Sequence, residues 1–287
     1  MSPVVKEFFD KPTFTYSYVV HDPATLECVI IDSVLDFDYA SGKTSTEMAD
    51  QALQYIEENN LKVSMILETH VHADHLSAAP YLKQKTGAKL VIGDQITVIQ
   101  DVFGKAFNAG SEFQRDGSQF DILLKDNDSF KVGNIEAVAL HTPGHTPACM
   151  SYLIGDAIFV GDTLFMPDYG TARCDFPGGD ARVLYKSIQR LYQLPEATRM
   201  FMCHDYGAPG RTEFKFETTV ADEKYHNIHV NIDTSEDQFV TMRSTRDATL
   251  GMPRLILPSV QVNMRAGNMP EPETNGQSYL KIPVNLF

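Results

Sequence analysis

The sequence predicts an α/β (α+β) fold, and three observations lead there. Over its first two thirds the chain alternates short β-branched apolar runs with amphipathic segments of helical period. From Phe130 onward, apolar runs pair like hairpins across Gly-containing turns. The side chains best suited to chemistry each follow an apolar run, where loops gather at one edge of a sheet.

Taken in order, Cys28 to Asp32 is a β-branched run ending in a carboxylate. Residues 44–59 read as a helix, with Ser45 as its cap and Met48, Ala52, Leu53 and Ile56 on one face. Val63 to Leu67 is a buried strand leading straight into Glu68-Thr69-His70. A helix opens near Ser77 and closes at Gly87, and Ala88 to Ile92 follows as a strand. Glu136 to His141 runs into a Thr-Pro-Gly-His turn, and Ser151 to Ile154 is joined through Gly155-Asp156 to the run Ala157 to Val160. Asp180 to Leu194 has helical period through Val183, Leu184, Ile188 and Leu191. Arg199 to Cys203 is a last apolar strand, ending at His204-Asp205. Beyond about residue 215 the chain changes character, with a polar helix over 234–250 and then a stretch rich in Pro, Asn and Met. Residues 1–215 are expected to form the catalytic domain and 216–287 an extension packed on it.

Composition narrows the function. With 287 residues and 43% hydrophobic side chains, the chain has material for a sizeable core. A formal net charge of −14 argues against binding a phosphate backbone or an anionic membrane, both of which need a basic face. It leaves a small substrate open, because positive charge can be local. No uninterrupted apolar run reaches the length of a membrane span, and the first residues lack the pattern of a secretory leader. Cys28, Cys149, Cys174 and Cys203 are scattered, which suits buried thiols better than disulfides. A cytoplasmic enzyme is the expectation.

The chemistry concentrates in His70-Val71-His72-Ala73-Asp74-His75. Three imidazoles and a carboxylate directly after a hydrophobic strand suit divalent zinc or iron; a solvated polar turn explains them poorly. His145 follows Pro143-Gly144, which fix a sharp turn that aims an imidazole inward. Asp162 follows the Ala157 to Gly161 run, where Gly161 permits close backbone approach, and His204 ends the Met200 to Cys203 run. Each alone could be a hydrogen-bonded turn residue. Together they point to one cleft. Their spacing allows one metal or two.

Asp32, the His70 to His75 cluster, His145, Asp162 and His204 resemble, in order, the five motifs of the metallo-β-lactamase superfamily. That resemblance implies an αββα sandwich of two mixed β-sheets flanked by helices, with metal at the shared sheet edge. The segment Gly170 to Phe176 and the triplet His204-Asp205-Tyr206 are similar to the persulfide dioxygenases, and the tail Leu257 to Gly267 with Tyr279 to Pro283 resembles their longer bacterial branch. Cys174 departs from the shorter branch, which has a Thr there.

The narrower resemblance implies a homodimer with one Fe(II) per chain, held by His70, His145 and Asp162 and open on one face for sulfur and O₂. His72, Asp74, His75 and His204 then orient water and ligands or line a vacant second-metal position. The implied reaction oxidises glutathione persulfide with O₂ and water to sulfite and glutathione. Asp74 and Tyr206 are the catalytic candidates, and Arg173, Tyr206 and Arg265 the substrate contacts, with Arg173 the first choice as a carboxylate clamp. The rival is a two-metal thioester hydrolase of the glyoxalase II type acting on S-lactoylglutathione. A third reading is a metal or persulfide sensor using Cys174 or Cys149.

Overall fold

Neighbouring apolar residues on a strand turn to opposite faces, and that alternation builds the architecture seen in a computed structural model describing residues 2–286. In chain order the first elements are β1 (Val4–Asp10), β2 (Thr15–His21), β3 (Glu27–Ile31), β4 (Val34–Asp38), β5 (Lys43–Ser45) and α1 (Glu47–Glu58). Then come β6 (Lys62–Leu67), β7 (Leu76–Ser77), α2 (Ala79–Thr86), β8 (Lys89–Gly93), α3 (Ile96–Ala106) and β9 (Ile122–Leu124). The second half holds β10 (Ser129–Val132), β11 (Ile135–His141), β12 (Met150–Ile154), β13 (Ala157–Phe159), α4 (Ala181–Leu191), β14 (Arg199–Phe201) and β15 (Glu217–Thr219). Helices α5 (Val220–His226), α6 (Glu236–Asp247) and α7 (Ile256–Asn263) complete it.

Two six-stranded sheets result, ordered β1-β2-β3-β6-β8-β9 and β10-β11-β12-β13-β14-β15. Both are mixed: β3, β6, β8 and β9 run parallel in the first, and β13 pairs parallel with β14 in the second. On the first sheet Val20, Ile31, Leu67 and Val91 face inward against Tyr152, Phe159 and Phe201 of the second. Their neighbours Val19, Ile30, Ile66 and Ile92 face outward beneath α1, α2, α3 and α7. Likewise Ile158 and Met200 turn out against Leu184, Ile188 and Leu191 of α4. Each such side chain contributes about 1.5–3 kcal/mol by leaving water. A one-residue slip would expose a whole face, so register is tightly specified. The expected αββα sandwich is the fold observed.

Local details correct some expectations. Ser45 ends β5 and is exposed, so the helix begins at Glu47 with Thr46 as its cap. The Thr46 hydroxyl donates to Asp50 (2.8 Å) and not from a capping role on the backbone. Gly87 closes α2 at φ 73°, and the Asp180 carboxylate caps α4 by accepting from the Val183 amide (2.9 Å). β1, β2, β4, β5, β7, β9, β15, α3, α5 and α7 have no counterpart among the expected elements. In α3 the run Ile96-Thr97-Val98-Ile99 carries strand-favouring residues, and packing of Ile96, Ile99 and Phe103 on the first sheet overrides that preference.

The tail spans both halves. β15 is an edge strand of the second sheet, Phe239 of α6 is buried beside Leu184, and Ile256, Val260 and Met264 join the outer cluster of the first sheet. No described helix is long and apolar enough to cross a membrane.

Candidate metal centre

The expected metal-site residues leave strand ends on one edge of the sandwich. Asp32 follows β3 directly, while His70, Asp162 and His204 each lie three residues past β6, β13 and β14. The turns demand glycine where the two sheets approach. Gly161 has φ +51°, and a Cβ there would lie 2.7 Å from the Thr69 hydroxyl oxygen. Gly144 has φ +140°, and a Cβ would fall 2.3 Å from the Leu184 Cα. Neither position has room for a side chain.

Asp32 is buried and organises the loop. Its carboxylate accepts from the Thr69 amide (2.7 Å), the Thr69 hydroxyl (2.8 Å) and His72 Nε2 (3.0 Å). His72 Nε2 also faces Glu68 Oε2 at 3.4 Å, so that nitrogen carries a proton shared between two carboxylates. Against the opposing effect of burial, Asp32 holds the His72 pKa well above its usual value. The other four imidazoles are oriented through Nδ1. His70 meets the Thr69 hydroxyl (3.0 Å), His75 the Leu76 carbonyl (3.2 Å) and His145 the Arg173 carbonyl (2.8 Å). His204 meets the Phe14 carbonyl and Thr15 hydroxyl, both at 3.3 Å.

The opposite atoms converge. His70 Nε2 and His145 Nε2 stand 3.8 and 3.6 Å from Asp162 Oδ2. His204 Nε2 stands 3.2 Å from Asp74 Oδ2 and 3.3 Å from Asp162 Oδ1. His70 Nε2, His72 Nδ1, His75 Nε2, His204 Nε2, Asp74 Oδ2 and Asp162 Oδ1 are all buried without a hydrogen-bond partner among the described residues. Buried polar atoms are rarely left so. Six orphans facing one another, every imidazole locked from behind, form a site for divalent metal. Burial and the neighbouring imidazoles hold the His70 pKa well below its usual value, and burial with the adjacent His72 pulls His75 down to about 3. Neutral imidazole is the ligating form.

The donors fall into groups. Ligand atoms of His70, His145 and Asp162 lie within 4.8 Å of one another, and so, separately, do those of His72, His75, Cys203 and His204. The first group is two imidazoles and one carboxylate. Its His145 and Asp162 line a cavity of about 940 Å³ together with Asp74, His75 and Tyr206. The Tyr206 ring stacks on His204 with centroids 5.5 Å apart.

The substrate-contact expectations fare unevenly. Arg173 reaches the cavity wall, but its guanidinium is engaged by Asp175 (2.5 and 2.6 Å) and the Gly251 carbonyl (2.6 Å) and stacks over Phe176. These bonds use three of its five N–H donors and fix it at the wall of the cavity. Arg265 lies elsewhere, lining a second cavity of about 340 Å³ with its guanidinium 4.5 Å over the Phe113 ring. The cationic groups that do line the main cavity without a hydrogen bond or ion pair among the described residues are Lys43, Arg246 and Arg254. No motif announces them; they come from β5, α6 and the segment before α7. All four cysteines are free and buried, and burial pushes the Cys149 thiol up to about 12 and Cys174 higher still.

Comparison with known proteins fits this geometry. The metallo-β-lactamase superfamily domain matches residues 10–204. A Burkholderia pseudomallei protein named "Probable metallo-hydrolase" is 57% identical over 99% of both chains. Glyoxylase B2 of Dictyostelium discoideum is 46% identical over 99% of this chain and 97% of its own. Human mitochondrial persulfide dioxygenase ETHE1 is 28% identical over 92% of this chain and 89% of its own. Among solved structures, ETHE1 from Myxococcus xanthus superposes with a TM-score of 0.73 at 32% identity, covering 92% of this chain and all of that one. With the sandwich, the strand-end ligands and these similarities together, the chain belongs to the metallo-β-lactamase superfamily.

Proposed function

We propose that the protein is a glutathione-dependent persulfide dioxygenase using one Fe(II) held by His70, His145 and Asp162. The observation that carries this reading is the separate clustering of two imidazoles and one carboxylate, within 4.8 Å of one another, of which His145 and Asp162 line an open cavity. His70, His145 and Asp162 would hold a ferrous ion, which when bound would supply the electron transfer that O₂ chemistry needs. The likeness to the ETHE1 structure and to human persulfide dioxygenase supports the same choice.

The reaction balances as RS–SH + O₂ + H₂O giving RSH + SO₃²⁻ + 2 H⁺, with the outer sulfur losing four electrons to dioxygen. The chain's own residues divide the work. Lys43, Arg246 and Arg254 at the mouth attract the carboxylates of the thiol carrier. Phe165 and Phe176 on the walls limit water around the outer sulfur. Asp74, whose Oδ2 lies at the cavity floor beside His204, accepts a proton from the water that completes sulfite. Tyr206 flanks the same pocket, where its hydroxyl is a candidate substrate contact.

A second reading has its own observation. Unpartnered His75 Nε2, His204 Nε2 and Asp74 Oδ2 gather beside Asp162 Oδ1, a donor set for a second ion, and hydrolase and glyoxylase names occur among the relatives. Such an enzyme would split the thioester S-lactoylglutathione with a metal-activated water. One experiment separates the two. Protein reconstituted anaerobically with Fe(II) is assayed for metal content, for O₂ uptake with glutathione persulfide, and for S-lactoylglutathione hydrolysis. One iron per chain with O₂ uptake is expected; two metals with thioester hydrolysis and no uptake would establish the rival.

A further inference from the structure

The metal-binding loop between β6 and β7 carries three of the unpartnered donor atoms, on His72, Asp74 and His75, yet it is neither helix nor strand. Its backbone groups are buried and need partners from elsewhere. One side chain supplies two of them and also a partner for β7 at the loop's end. Asn263, the last residue of α7, donates from Nδ2 to the carbonyls of His72 (2.9 Å) and His75 (2.8 Å), and its Oδ1 accepts from the Ser77 amide (2.8 Å). It is buried and comes from nearly 190 residues downstream.

We infer that Asn263 is a positioning residue for the metal centre, through which the C-terminal tail sets the spacing of His72 and His75. Three features make a brace of this contact. An amide offers two donors and an acceptor on one rigid plane, so the three bonds fix the loop in distance and in direction. The helix behind it is itself immobilised: Ile256, Val260 and Met264 sit in the core, and Gln100 donates to the Met264 carbonyl (3.0 Å). Just past the helix, Gly267 at φ +83° lets the chain turn tightly against Ser77 and Pro80. The bonds grip the two carbonyls flanking Ala73 and Asp74, so the loop cannot shift without breaking one. Because His70 lies on the same loop as His72 and His75, the brace bears on metal binding in either reading of the centre.

Asn263→Asp tests it, because the carboxylate keeps the shape and the acceptor toward Ser77 but turns oxygen toward two carbonyl oxygens. Metal affinity is measured by chelator competition, alongside the unfolding midpoint of the metal-free protein. Disturbing groups that support ligands weakens binding by about ten- to a hundredfold, and that loss is expected for Asp and for Asn263→Ala. Gln261→Ala is the control: Gln261 lies on the same helix but bonds the tail at Lys281 (2.9 Å both ways), so it lowers the midpoint without changing affinity. Wild-type affinity in Asn263→Asp, or an equal loss in Gln261→Ala, overturns the inference. If the Asn263 variants do not fold, ¹⁵N-labelled wild type decides: the Asn263 side-chain amide should resist solvent exchange and shift when metal is removed. A freely exchanging, unshifted signal also overturns it.

Discussion

The floor and the rim of the main cavity are built on opposite principles. At the floor, His145 lines the cavity, and His70 and His204 stand beside Asp162. All three are buried, each imidazole held from behind by a hydroxyl or carbonyl, and Nε2 of His70 and of His204 has no hydrogen-bond partner among the described residues. On the rim, Lys43, Arg246 and Arg254 are exposed, with neither hydrogen bond nor ion pair among the described residues. Preorganisation suits a centre that must hold an ion in fixed geometry. Unpaired, mobile charge suits the capture of a flexible anionic substrate. The difference implies that floor variants should change the chemistry and rim variants the affinity.

Breaking the floor should give the largest effect. Asp162→Ala removes the carboxylate shared by the His70, His145 and His204 contacts. Loss of the ion removes several kcal/mol of catalysis, so turnover should fall by at least about a thousandfold. Metal analysis of the same sample should show the loss of bound ion; full metal with full turnover would remove Asp162 from the ligand set.

One layer further back the effect should be smaller. Asp32→Asn keeps the size but replaces a carboxylate that receives three hydrogen bonds with a group able to present one oxygen. His72 then loses the partner that fixes its tautomer. Metal affinity should drop by about ten- to a hundredfold, read by chelator competition. An unchanged affinity would mean that His72 orientation does not matter to the ion.

The rim should respond differently in kind. Arg246→Ala and Arg254→Ala each remove one exposed charge, worth about 1 kcal/mol after screening, so KM should rise about fivefold per variant with kcat within about twofold. Added salt should raise the wild-type KM toward that of the variants. A fall in kcat with KM unchanged would break the division between floor and rim.

The same division explains what could be read without coordinates. Floor residues are legible because each follows a strand within a few positions, and Gly144 and Gly161 mark the turns that aim His145 and Asp162. Rim residues are not, because Lys43, Arg246 and Arg254 meet only through folding and no spacing relates them. Arg173 does reach the cavity, and its ion pair with Asp175 two residues on is a local contact that its spacing allows. Arg265 lies just past the end of α7, stacked on Phe113 and lining a different cavity. The proposed role of the tail was equally hidden, since an asparagine bonding carbonyls leaves no pattern in a sequence.

The smallest effect expected is at the cysteines, and it bears on the sensor reading. A reactive thiol must reach its thiolate near neutral pH and meet its oxidant. Cys149 and Cys174 do neither: both are buried, and burial holds their protons on. Cys149 Sγ lies 3.0 Å from the Thr146 hydroxyl, so a serine at 149 finds a ready partner. Cys149→Ser and Cys174→Ser should therefore leave turnover and metal content within about twofold, at a stability cost of about 1 kcal/mol. A collapse of turnover with the metal retained would place a thiol in the chemistry, and the cavity floor would then have to include a residue that now lies behind its wall.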